Sequence, residues 1–132
     1  MRFMTQEKKS EKIIMIAEDD AFIGDIYEVK LKDAGYDVIL ASNGRDAIEK
    51  LEEGAKPNIL LLDIVMPYMD GFDVLEALGK RDEWKDLPVV LLTNLSQKDD
   101  IDRGIKLGAK DFLIKSHFTP TEVLAKVQKY IT

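Results

Sequence analysis

Five short apolar runs, each leading into a polar residue and separated by stretches of helical periodicity, constrain this chain more than any other feature. They are Ile13–Ala17, 38–41, Ile59–Leu62, 89–92 and 112–114. Runs of that length without polar alternation read as strands buried on both faces. Strand and helix alternating five times predict a parallel sheet with helices on both faces and right-handed crossovers. At 132 residues, 45% of them hydrophobic, the chain supports one core and one domain. The expected fold is α/β, a single doubly wound five-stranded parallel sheet with five helices. Residues 1–11 read as a flexible tail and 12–132 as the domain.

The helices are legible in outline. Ile23, Ile26, Tyr27, Leu31 and Ala34 recur at helical spacing, and Gly35 stops that helix. Asn43 reads as the N-cap of a second helix with Ala47, Ile48 and Leu51 inward, ended by Gly54 and Pro57. Val74, Leu75 and Leu78 face inward on the third. Trp84 lies in the connection that follows and reads as an anchor under a loop. The fourth helix, about 97–107, is weak. Its inward set is Ile101, Ile105 and Leu107, and Gly104 in its interior costs about 1 kcal/mol relative to alanine. It is expected to be the most mobile. Thr119, Pro120 and Glu122 read as a capping box with proline at the first helical position, before Leu124, Val127 and Ile131.

Charge and composition exclude some functions. A net charge of −6 argues against nucleic acid as a direct partner, because phosphate backbones need a basic face. With no cysteine, thiolate metal sites, disulfides and a cysteine nucleophile are excluded. Neither a membrane span nor a signal peptide is visible, so the expected location is cytoplasmic.

The chemistry lies at the strand ends. In open parallel sheets ligands bind outside the carboxyl ends of the strands. The first strand runs into Glu18, Asp19 and Asp20, the third into Asp63, the fourth into Thr93 and the fifth into Lys115. Each alone has a bland explanation, and Asp20 reads as a helix N-cap. Together they place all the candidate groups on one edge. Clustered carboxylates repel unless a cation intervenes. A divalent ion such as magnesium suits them, because it favours oxygen ligands and accepts phosphate oxygens alongside one or two carboxylates. Asp63 can then act as a nucleophile forming an aspartyl phosphate, with Lys115 and Thr93 as donors to the phosphoryl oxygens.

The acidic pair, the stretch LLLDIVMPYMDG, a hydroxyl residue after the fourth strand and a lysine after the fifth together resemble the response regulator receiver domain of two-component signalling. The likeness covers about residues 12–131, and the steps from Asp19 to Asp63, Thr93 and Lys115 fit it. The resemblance implies a flavodoxin-like (CheY-like) sheet of order 2-1-3-4-5. It implies that Asp63 accepts a phosphoryl group from a phosphohistidine on a histidine kinase or histidine phosphotransfer protein. Asp19 binds magnesium directly, Glu18 through water, and the Val65 carbonyl is a further ligand; manganese or calcium substitutes. Lys115 and Thr93 contact the phosphoryl group, and Phe112 turns inward as Thr93 moves, switching the surface of helix 4, strand 5 and helix 5. A plain core role for Phe112 is an equal reading. The chain is then a signalling phosphoacceptor rather than an enzyme. Its output is a downstream protein target or an output domain absent from the sequence, and its state a monomer or a weak phosphorylation-dependent dimer.

Five positions depart from that pattern or colour it. Ser116 follows Lys115 where proline is usual, and the family's cis bond is still expected there, at a cost of about 2.5–4 kcal/mol. Asn94 stands where a small residue is usual, and is expected to narrow the path to Asp63 or to hydrogen-bond near it. Val65 and Leu95, both apolar, flank the line of attack of hydrolytic water in the resembled family, which implies a long-lived phosphorylated form. His117 reads as a solvated loop residue. Three rival classes remain. An aspartate-nucleophile phosphatase needs an acid at position 65, and valine cannot carry a proton. A flavin carrier needs a phosphate-cradling loop where Glu18, Asp19 and Asp20 stand. A receiver-like scaffold that takes no phosphate is opposed by the intact acid, hydroxyl and lysine set.

Overall fold

The computed structural model describes residues 11–131. The expected tail, residues 1–11, lies outside them except for Glu11. The elements in chain order are β1 (Ile13–Ala17), α1 (Ala21–Asp33), β2 (Asp37–Ala41), α2 (Gly44–Glu52), β3 (Ile59–Leu62), α3 (Gly71–Gly79), β4 (Val89–Thr93), α4 (Lys98–Lys106), β5 (Asp111–Ile114) and α5 (Pro120–Ile131). All strand pairs are parallel and the order is β2-β1-β3-β4-β5, as the resemblance implied.

Successive strand side chains point to opposite faces, and this sorts the core into two clusters. Ile14, Ile16, Ile59, Leu61, Val90 and Leu92 pack with Tyr27 and Leu31 of α1 and Val123, Val127 and Ile131 of α5. Met15, Ala17, Leu60, Leu62, Val89 and Leu91 pack with Ala47 and Leu51 of α2, Val74, Leu75 and Leu78 of α3, and Trp84. Trp84 is buried, with the Arg81 guanidinium 4.0 Å from its ring centre. That is the anchor role expected of it.

The caps explain where the helices begin. Asp20 accepts from the N–H groups of Phe22 and Ile23, and Asn43 from that of Asp46. Thr119 and Glu122 exchange the two bonds of a capping box. A second capping box, Asp70 with Asp73, starts α3 and was not recognised in the sequence. Gly35 closes α1 at φ 100°.

Three helix faces differ from the periodic reading. Ile26 on α1, Ala34 at its C-cap and Ile105 on α4 are exposed, because each helix touches the sheet along a stripe narrower than its apolar sequence. Val123, rather than Leu124, is the fully buried residue at the start of α5. Gly104 is the one buried residue of α4. A Cβ there would collide with Leu91 and meet the Phe112 ring at 3.3 Å, so the glycine lets the helix sit close to β4 and β5. The bond between Lys115 and Ser116 is trans, as are all peptide bonds among the described residues. The cis expectation fails because serine lacks proline's small cis–trans difference. The chain instead turns through a short 3-10 segment, Lys115–His117.

Gly71 fixes the loop between β3 and α3. Its N–H donates to the Ile64 carbonyl at 2.9 Å. An added Cβ would lie 2.6 Å from the Asp63 carbonyl oxygen and 2.8 Å from Ile64 Cα. Those are main-chain atoms that cannot swing aside. Gly71→Ala is expected to lose about 1–3 kcal/mol of stability, read as a lower midpoint in urea unfolding.

Candidate functional site

The carboxyl ends of the strands hold the site because the parallel ladder continues one residue past them. The Glu18 N–H donates to Ala41 O at 3.0 Å and the Asp63 N–H to Ala17 O at 3.1 Å. Both acids are thus held by sheet hydrogen bonding rather than by a free loop. Glu18, Asp63 and Thr93 are the three buried polar side chains among the described residues. Asp19, beside them, is exposed.

Glu18, Asp19 and Asp63 each bring a carboxylate oxygen within 4.8 Å of the others. Three such charges brought this close would repel strongly. Lys115 relieves this: its Nζ donates to Glu18 Oε1 at 2.5 Å and to Asp63 Oδ2 at 2.9 Å. The other Asp63 oxygen, Oδ1, accepts from the Ile64 N–H at 2.7 Å. Glu18 Oε2 accepts from the Asp20 N–H at 3.1 Å. The residues expected from the four strand ends therefore converge, and they line one cleft of about 420 Å³ with Asp20, Ile23, Val65, Asn94 and Leu95.

The charges of this cluster are mutually set. Burial pushes the Glu18 carboxyl above its ordinary range, against the pull of hydrogen bonds from Lys115 and the Asp20 N–H, and the charge on Asp63 pushes it the same way. Burial alone would lower the Lys115 ammonium. Its hydrogen bonds to Glu18 and Asp63, with their charges, outweigh that and hold it above the usual lysine range. Tyr27 belongs to this neighbourhood as well. Its phenol is pushed up by burial and feels Lys115, Glu18 and Asp63. The sequence showed Tyr27 only as a core position on a helix face.

Of the remaining expected residues, Thr93, Val65 and Asn94 line the cleft, and Phe112 and His117 lie away from it. Thr93 is fully buried, and its Oγ1 accepts from the Leu95 N–H at 3.4 Å. Val65 is 60% exposed at the rim. Phe112 is half-buried and packed against the α2 and α3 side of the core. His117 is exposed. Asn94 accepts a hydrogen bond from the Ser116 N–H, one of its two expected roles. Outside the cleft, Tyr68 adopts φ 69°, with the Met69 N–H donating to the Pro67 carbonyl at 2.7 Å. This three-residue turn is a strained form.

A hard, all-oxygen set suits a small divalent cation, and the donors here meet that chemistry. Lys115 supplies positive charge to the same oxygens.

Comparison with known proteins gives consistent matches. Residues 14–128 match the family described as response regulator receiver domain. The probable transcriptional regulator ycf27 of Porphyridium aerugineum is 37% identical over 123 residues, covering 93% of this chain and 49% of that protein. The alkaline phosphatase synthesis transcriptional regulatory protein PhoP of Bacillus subtilis (strain 168) is 36% identical over 117 residues, covering 89% and 47%. The chain thus spans about half the length of these relatives. Among solved structures, the chemotaxis protein CheY4 of Vibrio cholerae is similar with a TM-score of 0.84 at 28% identity, covering 92% of this chain and 99% of that one. The receiver domain of a signal transduction histidine kinase from Syntrophus aciditrophicus gives 0.82 at 29%, covering 91% and 89%.

The crowded acids carry a stability signature. A carboxyl whose pKa is raised by folding favours the folded state below its unfolded pKa, about 4.3, and loses that contribution as the pH rises through the folded value. Ionised Glu18 therefore opposes folding at neutral pH. Without divalent cations, Glu18→Gln is expected to raise the thermal midpoint near neutrality, and the gain is expected to vanish as the pH falls below the ordinary glutamate range. Lys115→Ala has the opposite sign, costing on the order of 3 kcal/mol by leaving buried acids unpaired. Thermal melts across pH check both.

Proposed function

Because the chain belongs to the response regulator receiver domain family, we propose that it is a phosphoacceptor, taking a phosphoryl group from a phosphohistidine onto Asp63. The observation that carries this reading is the convergence of a buried Asp63, the Lys115 ammonium and two further carboxylates at one sheet edge. An Asp63 carboxylate oxygen bonds to phosphorus as the bond from phosphorus to the donor imidazole nitrogen breaks, and that nitrogen keeps the electron pair. Lys115 then exchanges a carboxylate partner for phosphoryl oxygens, and the Thr93 hydroxyl donates to them. Glu18, Asp19, Asp63 and the Val65 carbonyl would hold magnesium, with manganese or calcium as substitutes. When bound, such an ion offsets the negative charge of the acids and the phosphoryl oxygens.

Phosphorylation adds about −1.5 to −2 charge and three acceptor oxygens at one strand end. The readout proposed is a shift of Thr93 followed by Phe112, carried to the surface of α4, β5 and α5. The small buried face of α4, which is Gly104 alone, and the Gln97 N-cap without a side-chain cap bond support this. The proposed partners are a histidine kinase or histidine phosphotransfer protein upstream and a protein target, or an output domain, downstream. The relatives named as transcriptional regulators are about twice as long, which favours control of an output region over enzymatic turnover. A cytoplasmic location is proposed; no described helix is long and apolar enough to cross a membrane. A monomer or weak phosphorylation-dependent dimer remains the proposed state.

With magnesium and acetyl phosphate, intact mass is expected to rise by one phosphoryl group, and Asp63→Asn is expected to take none. Label on another residue would overturn the reading. Mass is the better probe than fluorescence, because Trp84 packs near Pro57 and Pro88, beside the opposite ends of β3 and β4. Val65 and Leu95 line the cleft with side chains that cannot orient water. Val65→Asn is expected to shorten the lifetime of the label, measured as its decay after donor removal.

A further inference from the structure

Two residues that depart from the family pattern separately, Asn94 and Ser116, meet in the structure. The Ser116 N–H donates to Asn94 Oδ1 at 3.2 Å. The ladder between β4 and β5 ends at the pair Thr93 and Ile114, so this bond closes a further step beyond the sheet with a side chain. It requires a residue other than proline at 116, since proline brings no N–H. It joins the segment carrying Thr93 to the turn carrying Lys115. That turn, Lys115–His117, has no side-chain cap and no buried residue of its own. Asn94 and Lys115 both line the acidic cleft and also the neighbouring groove with Tyr27 and Pro120.

We propose that Asn94 and Ser116 form a positioning pair that holds the Lys115 turn in register with Thr93, so that both donors are set for the phosphoryl group on Asp63. This rests on the phosphoacceptor reading above. Transfer of a phosphoryl group depends on how well its donors are placed. The pair therefore acts on the rate constant for acceptance, rather than on how the phosphodonor is bound. The strength of one hydrogen bond sets the scale at about twofold to tenfold.

The test compares wild type with Asn94→Ala, Asn94→Leu and Ser116→Ala. Leucine keeps about the bulk of asparagine but has no acceptor, and alanine at 116 keeps the N–H. Asp63 labelling is followed with acetyl phosphate at saturating magnesium, together with hydrogen exchange of the residue 116 amide. Both Asn94 variants are expected to slow labelling about twofold to tenfold, with donor half-saturation unchanged and faster exchange at 116. Ser116→Ala is expected to match wild type in both. Wild-type labelling rates in both Asn94 variants, or a protected 116 amide in them, would overturn the positioning role alone. So would a loss confined to Asn94→Ala, which would make bulk the cause. A wild-type chain that takes no label would instead overturn the phosphoacceptor reading, and this proposal with it.

Discussion

One ammonium between two buried carboxylates holds the functional edge of this sheet together. Lys115 reaches from the end of β5 to Glu18 after β1 and Asp63 after β3. It bridges residues 97 and 52 positions away from it in the chain, and both carboxylates are buried, so the pairing is screened less than one at an open surface. A buried acid cluster costs stability unless its charge is matched. The site is therefore under tension by composition: positive charge is wanted, and the protein itself supplies one unit of it. Any incoming group that brings compensating charge, or competes for the ammonium, acts on an arrangement whose charge is only partly matched.

Much of this was legible in the sequence. Five apolar runs and their polar ends determined the layers, the parallel pairing and the shared edge for Glu18, Asp19, Asp63, Thr93 and Lys115. Strand order required the family resemblance, because crossover lengths alone do not say which strands are neighbours. Caps were legible at Asp20, Asn43 and Thr119, where a side chain competes locally for helix N–H groups. The Asp70 and Asp73 box was not, since Gly71 directly after Asp70 reads as a turn rather than as the first residue of a helix.

What escaped the sequence depended on distance in three dimensions. Ile26 and Ile105 satisfy helical periodicity yet face solvent, because periodicity states a direction and not how far the neighbouring element extends. Gly104 looked like a weakness in α4, but it permits close approach to Leu91 and Phe112. The bond at Ser116 was expected to follow the family's geometry, whereas the local residue chemistry favours trans. Asn94 and Ser116 could not be paired from sequence, since nothing local links positions 22 residues apart.

The sheet also works as a partition. Its two faces carry separate apolar clusters, with α1 and α5 against one and α2 and α3 against the other. Phe112 and the close approach at Gly104 belong to the second. Because packed interiors resist deformation, a rearrangement of α4 can slide over its own side while α1, on the far face, keeps its packing. A single small domain can in this way offer one steady surface and one changeable surface, with the acids on the seam between them.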